Sequence, residues 1–79
     1  MRRSIDDQQL EGPDEDWPGV SWAVAASDDY EDGEPRVVLT VEEVGRPGTG
    51  LVVHLPPTGA HRLRTALRDA LREIGHATD

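Results

Sequence analysis

From Val20 to Ser27 the apolar side chains Val20, Trp22, Val24 and Ala26 alternate with the small residues Ser21, Ala23, Ala25 and Ser27. A period of two marks a strand, because successive side chains of an extended chain point to opposite faces. The same period returns with Val37, Leu39 and Val41 set against Val38, Thr40 and Glu42, and again with Leu51, Val53 and Leu55 set against Val52 and His54. Two breaks separate these runs: an acidic stretch from Asp28 to Glu34, with Gly33 and Pro35, and the turn-rich Gly45-Arg46-Pro47-Gly48-Thr49-Gly50. Short breaks of this composition predict hairpins, and so a three-stranded antiparallel meander.

Beyond Pro56-Pro57 the period changes to 3.6. Leu63, Ala66, Leu67, Ala70, Leu71 and Ile74 fall on one stripe of a helix that Thr58 is placed to cap and that ends near Gly75, with His61 at the capping-box position. That stripe must cover one face of the sheet. The expected fold is therefore α+β and two-layered, β-β-β-α, with one C-terminal helix on a three-stranded sheet. Trp22 shares its face with Val20 and Val24 and reads as core. The face turned from the helix keeps either Val38 and Val52 with Thr40 and His54, or their alternates. Either way a partly apolar surface and unpaired strand edges remain, the usual setting for a homodimer or a partner strand.

Charge divides the chain. Residues 1–35 hold eleven acids against Arg2 and Arg3, whereas residues 36–79 hold six arginines against five acids, within a net charge of -8. Residues 1–16, with Asp6-Asp7 and Asp14-Glu15-Asp16, carry too little apolar surface to offset chain entropy and are expected to form a disordered, flexible acidic arm. Ser4-Ile5-Asp6-Asp7 has capping-box spacing, but Gly12-Pro13 follows too soon for more than a transient helical turn. The organisation expected is an arm at 1–16, one small domain at 17–76 and a tail at 77–79. A domain of this size rarely holds a core worth more than about 3 to 5 kcal/mol, and with no cysteine it has no disulfide to add, so self-association is the expected support. The start Met1-Arg2-Arg3-Ser4 lacks the apolar run of a secretory signal and no stretch reaches the length of a membrane span, which suggests a cytoplasmic protein without membrane contact.

Little in the chain points to catalysis. His54, His61 and His76 show neither triad nor zinc-ligand spacing. Asp28, Asp32 and Gly33 match three positions of a calcium loop, but Tyr30 and Leu39 stand where acids belong. The glycines at 45, 48 and 50 lead into a strand without a lysine, unlike a phosphate loop. Glu42 and Glu43 point to opposite strand faces and cannot share a proton. No enzyme activity, cofactor or metal is expected.

The candidate contact residues are Trp17, Arg64, Arg68 and Arg72. Trp17 sits among acids in Asp14-Glu15-Asp16-Trp17-Pro18-Gly19, as an aromatic anchor of a short docking segment would. Arg64, Arg68 and Arg72 repeat every fourth residue beside the leucine stripe, with Asp69 and Glu73 on the opposite flank, so this row looks to carboxylates elsewhere or to phosphates. The order strand, strand, strand, helix over residues 20–75 resembles the latter part of a double-stranded RNA-binding domain. That resemblance implies phosphate contacts from the Arg-rich helix, including Arg62. It covers element order alone: the family's leading helix has no counterpart here, nor has its lysine-rich helix start in Thr58-Gly59-Ala60-His61. The net negative charge also opposes polyanion binding. The leading expectation is a non-enzymatic module for protein-protein interaction or regulation, and the alternative is nucleic-acid binding through the helix, modulated by the acidic arm.

Overall fold

The computed structural model describes residues 1–12, 18–46 and 48–76. Four strands, β1 (Arg2–Leu10), β2 (Val20–Ser27), β3 (Arg36–Glu43) and β4 (Leu51–Leu55), form one antiparallel sheet in the order β1-β2-β3-β4. The helix α1 (Pro57–Glu73) follows. The fold is α+β with a C-terminal helix, and the meander has four strands rather than the three expected.

The added strand comes from the segment expected to be a mobile arm. Residues from Arg2 to Leu10 pair along β2, with Ile5 as an extra residue where the register slips between Ser4 and Asp6. All nine side chains of β1 are exposed, so nothing in their polarity records the pairing. Backbone hydrogen bonds and one side-chain link carry it: Trp22 Nε1 donates to Asp6 Oδ2 at 3.0 Å. Beyond β1 the chain returns closely on itself, since a Cβ on Gly19 would lie 2.1 Å from the Leu10 carbonyl oxygen. Only glycine fits there.

Register fixes the two faces. Val24 stands opposite Leu39, Trp22 opposite Val41 and Leu39 opposite Val53. These residues share the face turned toward the helix, while Ala25, Val38 and His54 share the other. Among the described residues the buried apolar side chains are Ala25 and Val38, both on the face away from the helix. Their cover is the acidic loop after β2. Tyr30 reaches across β3 to share a 2.7 Å hydrogen bond with His54 Nδ1, its ring edge-on to the imidazole. Arg36 lies 4.2 Å over the Tyr30 ring and forks onto Asp32 at 2.6 and 3.2 Å. The loop is thus folded onto the sheet.

The helix begins two residues earlier than a cap at Thr58 would place it. Pro56 is the N-cap, without a side-chain bond, and Pro57 is the first helical residue, where a missing N–H and a preset φ cost nothing. Thr58 lies inside the first turn. At the other end Gly75 has φ 82°, its N–H donating to the Arg72 carbonyl at 3.0 Å while the His76 N–H donates to that of Leu71 at 2.9 Å. This crossed pair is a Schellman stop, and it requires the left-handed residue that glycine supplies.

Candidate functional site: an open apolar cleft

The helix stripe was expected to close over the sheet, but it stands off. Helix α1 touches β3 and β4 and neither β1 nor β2, and every helical residue from His61 onward is exposed, Leu67 by 60%. Between the two layers lies a cleft of about 870 Å³. Trp22, Val24, Leu39, Val41 and Leu55 line its sheet side; Leu63, Leu67 and Leu71 line its helix side. Trp22, expected in a core, is only half-buried on this wall. A concave, mostly apolar surface of this size suits a ligand or a protein segment.

Arg64 and Arg68 also line the cleft. The helix is rotated so that this part of the arginine row borders the apolar hollow rather than pointing straight to solvent. Nor is the row devoid of acidic neighbours, as helical spacing alone had implied: Arg68 Nε lies 3.6 Å from Asp69 Oδ1, and Arg72 is also engaged. Trp17 lies outside the described residues, as does the tail 77–79. The structure therefore brings Arg64 and Arg68 together with Trp22 and the leucine stripe, and these apolar residues are what sequence reasoning assigned to the interior. The signal that could have revealed them is the breadth of the sheet, which depends on recognising β1.

Five acidic groups, Asp28, Asp29, Glu31, Asp32 and Glu34, lie in the loop after β2, away from the cleft. Hydrogen bonds from Arg36, then from the Glu34 backbone N–H, hold the Asp32 carboxyl below its ordinary range. The Asp28 carboxyl is likewise lowered, chiefly by its hydrogen bond from the Met1 ammonium. Glu42 Oε2 accepts from the Gly48 N–H at 2.8 Å, so this carboxylate secures the turn before β4. Among the described residues no three His, Asp or Glu side chains converge, and no helix is long and apolar enough to cross a membrane. The chain matches no family model, no curated protein and no solved structure.

Proposed function

We propose that this chain is a non-enzymatic, cytoplasmic protein-interaction module whose recognition surface is the cleft between the helix and the sheet. The observation that carries this reading is an 870 Å³ apolar hollow that the chain's own helix leaves open. Exposed Leu63, Leu67 and Leu71 on one wall, and Trp22, Val24 and Leu39 on the other, form a contiguous patch of the kind that marks a docking site. Trp22 supplies the aromatic anchor and the flanking arginines supply a charged rim, the side-chain types that dominate protein interfaces. Phosphate binding by the helix fits this arrangement less well. Arg64 and Arg68 border an apolar wall, and the chain as a whole repels polyanions.

A photo-crosslinking side chain at Leu71, inside the cleft, tests the reading when compared with one at Asp7 on the polar edge strand. Protein adducts from position 71 and none from position 7 are expected. Adducts to nucleic acid at position 71, or equal labelling from both positions, would overturn the proposal.

A further inference from the structure

We infer that the occupant of the cleft is a second copy of this chain, whose helix completes the layer over the sheet. The inference rests on the cleft being a docking surface and names what docks there. Four strands spaced about 4.8 Å apart make a sheet roughly 19 Å broad, whereas a helix with its side chains covers about 10 Å. One helix can therefore cover no more than half of this sheet, and the contacts of α1 are with β3 and β4. The β1-β2 half, with Trp22 and Val24, is left without a cover, and the fold contains no second helix among the described residues. A second copy brings one carrying the same leucine stripe.

The dimensions agree. The chain exposes 6521 Å², against about 4,700 Å² for a compact protein of its mass. The excess, roughly 1,800 Å², lies within the about 1,000 to 2,500 Å² that each partner of a permanent homodimer buries. The radius of gyration is 14.7 Å, where about 11.6 Å is expected of a closed domain this long. No residue of α1 is buried, so one copy has no interior on the helix side.

Charge points the same way. On the uncovered half, β1 places Asp6 on the cleft face beside Trp22, to which it is hydrogen-bonded. A partner helix laid over this half brings its Arg64 and Arg68 toward that carboxylate. The helix is net positive, with Arg62, Arg64, Arg68 and Arg72 against Asp69 and Glu73, so the Asp6 carboxylate of one copy and the arginine row of the other are complementary.

Sedimentation velocity of the full chain over a wide concentration range is the test, with 8-anilinonaphthalene-1-sulfonate fluorescence as a readout of open apolar surface. The expected result is a species of twice 8.7 kDa that does not light up the dye until dilution separates it. Leu67→Glu should weaken association roughly thirtyfold or more, as loss of a central interface residue does. Asp7→Ala, opposite Ala23 on the face turned from the cleft, should leave it unchanged. The wild-type concentration series stands by itself should Leu67→Glu fail to fold. An 8.7 kDa species at every concentration with bright dye overturns the second copy and leaves the cleft available to another protein. The same species with no dye uptake overturns the cleft reading as well.

Discussion

Val38 is the most deeply buried large side chain described, 2% exposed, and its cover is a tyrosine from a loop rather than a helix. Removing its two methyl groups leaves a void that neighbouring β-strands cannot close. Val38→Ala should therefore cost about 2 kcal/mol, read as a lower denaturant midpoint with unchanged slope. The same cover contains a titratable clamp. Asp32 is held ionised by Arg36, so its folded-state titration lies below the ordinary value of 3.8. A depressed carboxylate stabilises the fold above its unfolded-state value, and that contribution disappears as pH falls through the lowered one. Acidification below 3.8 should release Arg36 from Asp32 and shift the Tyr30 ring resonances beneath it, a transition absent in Asp32→Asn. Sequence analysis had singled out Asp32 as a weak calcium-loop match. Its carboxylate is instead committed to a guanidinium and a backbone N–H.

At the level of elements, legibility followed burial. Strands β2, β3 and β4 alternate because their two faces meet different surroundings, and the leucine stripe of α1 follows the helical period. Strand β1 has no such contrast: every side chain along Arg2–Leu10 is exposed, and the residues are Asp, Gln, Ser and Arg in the main. Its place is set by a backbone ladder and by Trp22, interactions that composition does not encode. Its bulge at Ile5 and its charge also protect that edge from further pairing. The helix end was legible because Gly75 combines a required backbone conformation with the end of the apolar stripe. Gly75→Ala must force a Cβ into left-handed backbone and should cost about 1 kcal/mol, seen as a lower melting midpoint in far-UV circular dichroism. The helix start was misplaced because Pro57 satisfies the first turn without the Thr58 side chain.

Across the whole molecule, the two layers are present but not closed, and the candidate site is the gap between them. None of the arginines singled out beforehand identified it, although Arg64 and Arg68 border it. Residues assigned to a core turned out to be walls, because a stripe of leucines looks the same in sequence whether it meets its own sheet or a partner's. If a second copy closes the gap, unfolding is coupled to dissociation and stability depends on protein concentration. The melting midpoint of the wild-type chain should then rise as concentration is increased, and that of Leu67→Glu should not.

The sequence by itself determined the mixed class, the three alternating strands, the amphipathic helix and its glycine stop, since each rests on local periodicity or on a single residue's backbone preference. It also determined the separation of an acidic first part from a basic helix. Tertiary structure alone decided that an exposed polar segment is a fourth strand, that the buried face is the one under Tyr30, and that the helix reaches only β3 and β4. Those outcomes depend on register and on the ratio of sheet breadth to helix diameter, which are relations between distant segments. No window along the chain contains them.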